Sequence, residues 1–236
     1  MCGRYAMFAP PDEIARIFRL PKEEVHRIFD FGPRYNVAPS DMVPAVRIAE
    51  DRSGREPALL RWGLVPHWAS SNEVSARTIN ARAETLADKP AFRDPFRSRR
   101  CLVVTTGFYE WQKLPGRKQP HFICLPNNEP FAFAGLWDRW EGRGGPTESC
   151  TIVTTDANRT LRRIHERMPV VLEPADYDVW LDVELRDRRQ LLPLLKPFPD
   201  ERLTCYPVST AVNKPENDIP ECVEPARSSH PDLFER

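Results

Sequence analysis

CLVVTTGFYEWQKLPGRKQPHFICLPNNEPFAFAGLW, residues 101–137, decides the fold class. Valine, phenylalanine, tyrosine and tryptophan crowd three runs, CLVVTTGFYEW at 101–111, HFICL at 121–125 and FAFAGLW at 131–137. Such side chains suit a pleated, half-buried surface. The first two runs are joined by LPGRKQP, whose Pro-Gly composition predicts a hairpin turn. Working outward, further short strands are predicted at 42–49 (MVPAVRIA), 58–66 (ALLRWGLVP), 150–155 (CTIVTT) and 203–208 (LTCYPV). Helical apolar spacing is confined to 12–19 (DEIARIFR), where Ile14, Ile17 and Phe18 share a face, and to 158–165, 174–182 and 186–195. Many short strands with few helices predict an α+β fold, mainly antiparallel, with the sheet curling toward a barrel-like β core and a few flanking helices. No internal repeat is present. One domain is expected over 1–213, followed by a loosely ordered tail over 214–236 that is rich in Pro, Glu, Asp and Ser.

Composition narrows the function classes. The chain has 236 residues, 34 basic and 34 acidic, so it lacks the excess of positive charge of a strongly basic nucleic-acid binder; a local patch stays open. No apolar run approaches the roughly 20 residues that span a bilayer, so no membrane association is expected. MCGRYAMFAPPDE at the start lacks a basic segment followed by an apolar one, so a secretory signal is not expected and the expected compartment is the cytoplasm. The six cysteines form no C-x-x-C pair and no Cys/His grouping at zinc spacing, so neither a metal nor another cofactor is implied. Cys101, Cys124, Cys150 and Cys205 lie in or beside apolar, strand-like stretches and read as small buried hydrophobes.

Cys2 differs by position. Removal of Met1 leaves a residue with a free α-amine beside a thiol. The amine has a reference pKa of about 7.7–8.0 and the thiol one of about 8.5, so both are partly deprotonated near neutrality. Such an aminothiol condenses with an aldehyde: the amine forms an imine and the thiol closes a five-membered thiazolidine. An internal cysteine cannot do this, because its nitrogen is an amide. Glu110, between Tyr109 and Trp111, is either a solvated strand glutamate or a desolvated acid fit for proton transfer. His165, in RRIHERMP, is either an acid/base group or a cation at a helix end. Asn80 and Arg82 in INARAE are either inert loop residues or groups that hold a sugar or phosphate oxygen. Trp68 is either core or a stacking platform for bases.

Six motifs then stand in order: MCGRY at 1–5, YNVAPS at 35–40, RWGLVPHW at 61–68, INARAET at 79–85, GFYEW at 107–111 and IHERMPVVL at 164–172. With them the chain resembles the SRAP (SOS response-associated peptidase) family over residues 1 to about 210. The resemblance implies recognition of abasic sites in single-stranded DNA and a covalent crosslink to the ring-opened sugar aldehyde through Cys2. It implies that Asn80 orients Cys2 and the sugar, that Glu110 serves as acid/base near the α-amine, and that His165 assists ring opening and reversal. It gives Arg4, Arg77 and Arg82 phosphate contacts, and Asn36 and Thr154 places in the pocket lining. A monomer and an autocatalytic removal of residues ahead of Cys2 are also implied. Two other readings stay open on residues alone: a peptidase acting on other proteins, and a non-catalytic single-strand-binding module. One departure is visible. The family often has two bulky residues in succession after the Trp-Gly pair, where this chain has His67-Trp68-Ala69, which lessens the expected stacking.

Overall fold

The computed structural model describes residues 2–226; Met1, whose removal the aminothiol reading needs, and residues 227–236 of the expected tail lie outside it. In chain order the elements are β1 (Tyr5–Met7), α1 (Pro11–Phe18), α2 (Lys22–Ile28), β2 (Arg34–Val37), β3 (Met42–Ile48), β4 (Arg55–Trp62), β5 (Asn80–Arg82) and α3 (Pro90–Ser98). There follow β6 (Arg100–Thr105), β7 (Gly107–Leu114), β8 (Arg117–Cys124), β9 (Phe131–Gly142), β10 (Gly145–Asp156), β11 (Arg167–Pro169), β12 (Val171–Leu172), α4 (Tyr177–Leu181), α5 (Arg188–Leu191) and β13 (Thr204–Pro207). The fold is α+β, as the strand-rich pattern predicts.

The strands β10, β4, β3, β6 and β9 pair in that order, and β9 pairs again with β10, so the five close into a barrel. Every seam of the ring is antiparallel except β10–β4, which is parallel. A second sheet, ordered β13-β8-β7-β1-β2, is antiparallel throughout. The run at 101–111, which reads as one strand, serves both. It breaks at Thr106, where the hydroxyl of Thr105 accepts from Gly107 N–H at 3.1 Å and donates to the Ala6 carbonyl at 3.0 Å. Gly107 is required there: a Cβ would lie 2.3 Å from the Phe122 ring and 2.7 Å from the Ile123 carbonyl. Tyr5 and Phe108 then join the second sheet to the barrel by ring contacts, Tyr5 with Trp62 and Phe133, and Phe108 with Phe133. All four side chains are fully buried.

Several predicted elements change on folding. The helix expected at 158–165 is a single 3-10 turn at Leu161–Arg163 inside a loop closed by Ala157 N–H on the Glu166 carbonyl at 2.9 Å. That at 186–195 is cut to α5 and a 3-10 turn, because Pro193 cannot supply a helical N–H. Strands β1, β2 and β5 and helices α2 and α3 are too short or too proline-rich to show in the pattern. The tail is the largest correction. Residues 214–226 are docked, not loose. Asp218 accepts from the Arg34 guanidinium and from the backbone N–H groups of Tyr35 and Asn36. The Asn36 amide donates to the carbonyls of Val212, Lys214 and Asn217, and Val208 bridges Pro225. Polar composition hides this because most of the segment's anchors are hydrogen bonds and ion pairs, with only Cys222 and Val223 packed on the apolar cluster of Tyr109, Phe122 and Val208.

Asp218→Ala removes an acceptor of three donors. Stability to denaturant should drop by about 2–3 kcal/mol, the range for hydrogen bonds to a charged group, and amide exchange at Tyr35 and Asn36 should quicken.

Candidate active site

The antiparallel register of β1 on β7 carries the amino terminus to one carboxylate. Tyr5 faces Phe108 and Ala6 faces Gly107. The pairing holds one residue further, with Tyr109 N–H on the Arg4 carbonyl at 3.0 Å. Continuing the same register brings Gly3 opposite Glu110, so Cys2 begins beside it. Cys2 is fully buried, and the Asn80 side-chain amide donates to its carbonyl at 2.8 Å. That bond fixes the Asn80 amide orientation and leaves its Oδ1 buried without a hydrogen-bond partner among the described residues.

Strand β10 gathers the remaining groups. Up to Ile152 it pairs with β9 on one edge. Beyond Cys150 it leaves β4, and Ile152–Thr154 pair in parallel with Asn80–Arg82 of β5. On the other edge Thr154–Asp156 take up β11. The loop that returns to β11 carries His165, half-buried, whose Nδ1 accepts from the Arg167 N–H at 3.0 Å. In the neutral ring this bond puts the proton on Nε2. Gln112 of β7 ties that loop down by donating to the Arg163 carbonyl at 3.2 Å.

Electrostatics follow from burial. Desolvation raises the Glu110 carboxyl above its ordinary value, and interaction with His165 works against that rise. Burial, with the charge of Glu110 adding to it, pushes the Cys2 thiol far up, so this cysteine is a thiol and not a thiolate at neutral pH. A desolvated carboxyl, an oriented carbonyl and a histidine with a set tautomer are groups that can move protons during addition to a carbonyl group.

The family model for SOS response associated peptidase (SRAP) matches residues 1–215. The chain belongs to the SRAP family. It is 41% identical over 230 residues to the abasic site processing protein YoqW of Bacillus subtilis, covering 95% of this chain and 99% of that one. It is 33% identical over 263 residues to the abasic site processing protein HMCES of Gallus gallus, covering 95% of this chain and 78% of that one. A crystal structure of a Bacteroides thetaiotaomicron protein superposes with a TM-score of 0.86 at 29% identity, covering 95% of this chain and all of that one.

Among the ten site residues named from the SRAP resemblance, Cys2, Asn80, Glu110 and His165 come together around the end of β10, with Thr154 and Arg82 on paired strands beside them. Thr154 is buried and its hydroxyl turns to the Ala81 carbonyl at 3.5 Å, while Arg82 is exposed. Arg4 and Asn36 are engaged elsewhere. The Arg4 guanidinium donates to Asn36 Oδ1 at 2.7 Å and to the Val212 carbonyl at 2.9 Å, so both side chains clasp the C-terminal segment. Arg77 is exposed at the end of a 3-10 helix, Asn72–Arg77. Trp68 is 55% exposed on its own loop and is not core.

Three residues of this SRAP chain carry weight that their sequence setting does not show. Arg167 joins Glu84, Asp156 and the Thr154 carbonyl, which holds the Glu84 carboxyl below the usual range and braces the strand after His165. Asp138, fully buried, accepts from His67 N–H and His67 Nδ1, both at 3.0 Å, from Arg139 N–H at 2.8 Å, and pairs with Arg99 at 3.1 Å. Trp140 donates to the Ala69 carbonyl at 2.7 Å. The exposed Trp68 is thus pinned on both sides by β9. Gly63 (φ 121°) lets the same loop pass the Ser75 carbonyl, which a Cβ would approach to 2.8 Å.

Asp138→Ala removes the acceptor of the His67 and Arg139 N–H groups and of the partly exposed Arg99 guanidinium, so stability should fall by about 2 kcal/mol, and amide exchange at His67 should rise. A second expectation concerns pH. A raised native value means that, above the ordinary glutamate range near about 4.3, the folded protein keeps a proton on Glu110 that the unfolded chain has lost. Stability from this group is therefore present at low pH and is lost as pH rises through the native value. Melts of wild type and Glu110→Gln across pH should show the wild type losing ground to the variant as pH increases.

Proposed function

We propose that this protein captures abasic sites in single-stranded DNA by condensing the α-amine and thiol of Cys2, exposed by loss of Met1, with the ring-opened sugar aldehyde. The observation that carries the reading is the convergence of the amino-terminal run, Glu110, Asn80 and His165 at the end of β10. The target is supported by the names of the SRAP relatives, which are abasic site processing proteins.

Amine attack on the aldehyde carbon comes first, because burial keeps the thiol protonated. Glu110 relays both amine protons to the aldehyde oxygen, the first to give the carbinolamine hydroxyl and the second as that hydroxyl departs, so one water leaves and an imine forms. The thiol then adds across the C=N bond: sulfur bonds to carbon, and its proton moves to nitrogen. Desolvation of Glu110 brings its proton affinity closer to neutrality, which suits both directions of that transfer. Asn80 Oδ1, buried and without a hydrogen-bond partner among the described residues, can accept from a sugar hydroxyl while its amide holds the Cys2 carbonyl. His165, with its proton on Nε2 in the neutral ring, faces ring opening of the sugar and reversal of the adduct. Fixing the aminothiol against the small open-chain fraction of the sugar raises its effective concentration by orders of magnitude. Arg82 and Trp68 supply a phosphate contact and a stacking face, and the protein acts as a monomer. Release of Met1 by the chain itself would draw on the same Glu110 and His165.

The test is incubation with a single-stranded oligonucleotide bearing one abasic site, followed by a denaturing gel and intact-mass measurement. A heat-stable adduct on protein lacking Met1, absent for Cys2→Ala, is expected. A wild type that gives no such adduct overturns the proposal. Glu110→Gln should slow adduct formation by about 100-fold or more, the usual scale of a lost acid/base group; His165→Ala should slow reversal more than formation.

A further inference from the structure

The loop that carries His165 also carries Arg159, Arg162 and Arg163, and their setting differs from that of the arginines that brace the frame. Arg34, Arg47, Arg55 and Arg167 are each neutralised by carboxylates within 3.0 Å. Arg162 and Arg163 are exposed and enter no ion pair among the described residues, and Arg159 has only Asp200 at 3.7 Å, with 85% of its side chain exposed. The three line one concavity, completed by Ala157, Asn158 and Pro197.

That concavity is built rather than accidental. Asn158 is buried; its Oδ1 accepts from Leu161 N–H at 2.9 Å, and its amide donates to the Phe198 carbonyl at 2.9 Å. Asp200 accepts from Thr160 N–H at 2.6 Å, and the Arg162 guanidinium leans on the Ala157 carbonyl at 3.2 Å. Ala157 N–H on Glu166 closes the loop, and Gln112, two residues beyond Glu110 on β7, is bonded to the Arg163 carbonyl. A loop bearing three guanidinium forks, with one carboxylate, Asp200, 3.7 Å from Arg159, is thereby tied to the strand that carries the carboxylate of the site.

We infer that Arg159, Arg162 and Arg163 form a phosphate track for the single strand on one flank of the bound lesion, beyond His165. The inference rests on the reading of the site as one for single-stranded DNA. Forked guanidinium groups match phosphate oxygens in a way that single ammonium charges do not. An abasic nucleotide offers no base to grip, so flanking phosphates must supply the affinity. A chain with no net charge needs such a local surplus to hold a polyanion.

The test uses undamaged single-stranded oligonucleotide, with affinity measured across a series of salt concentrations. Arg162→Gln with Arg163→Gln is compared with a charge-matched control, Arg186→Gln with Arg188→Gln. Each phosphate contact on a single strand contributes about 0.7 to the slope of log K against log salt. The loop variant should therefore lose about 1.4 from the slope and bind more weakly, while the control stays at the wild-type slope. Loop and control variants with the same slope and affinity overturn the inference. With abasic oligonucleotide at saturating concentration, the loop variant should still reach the wild-type adduct yield. Failure of the wild type to form an adduct would sink the Cys2 chemistry, yet the salt slopes on undamaged DNA would still decide the track.

Discussion

The amino-terminal run of this protein is an interior strand. β1 lies between β7 and β2, with Tyr5 packed on Trp62 and Phe133 of the barrel, so an end that frays in most chains is buried here. Everything the site does depends on that. The register with β7 brings Glu110 alongside, and the Asn80 bond to the Cys2 carbonyl sets the rotation of the last residues. The clasp of Arg4 and Asn36 on the C-terminal segment closes the other side. Holding a terminus in place costs conformational entropy, which the interior contacts of β1 offset.

Burial sets the chemistry as well as the position. The same desolvation that raises Glu110 raises Cys2, and the two reinforce each other because a charged carboxylate disfavours a neighbouring thiolate. An enzyme that relied on a thiolate would lower the thiol instead. In the proposed function the amine would act as the nucleophile and the thiol would close the ring later.

Charge is distributed to the same end. Carboxylates neutralise the arginines that brace the frame, such as Arg34 on Asp218 and Arg167 on Glu84 and Asp156. Among the exposed arginines that enter no ion pair within the described residues are Arg82 on β5 and Arg162 and Arg163 on the loop of His165. A neutral total therefore conceals local groups of unpaired arginines, and composition speaks to solubility more than to the partner.

What the sequence by itself determined is the chemistry available and the class of the fold. Valine- and aromatic-rich runs with turn residues between them specify short paired strands, and a cysteine at position 2 is the one place where a thiol and an amine can share a residue. The ordered motifs around Asn80, Glu110 and His165 singled out the groups that meet. Tertiary structure decided which reading each residue has, because hydrogen-bond partners and burial arise between distant segments. It set Asn36, expected in the pocket lining, and Arg4, expected on a phosphate, into a clasp, made Trp68 an exposed residue pinned by Asp138, and docked residues 214–226 through Asp218. It also split residues 101–111 between two sheets, and only the approach of Phe122 shows why position 107 has no room for a side chain. Local pattern reports which face a side chain prefers; the partner across a sheet, and with it the role, exists only once the chain has closed.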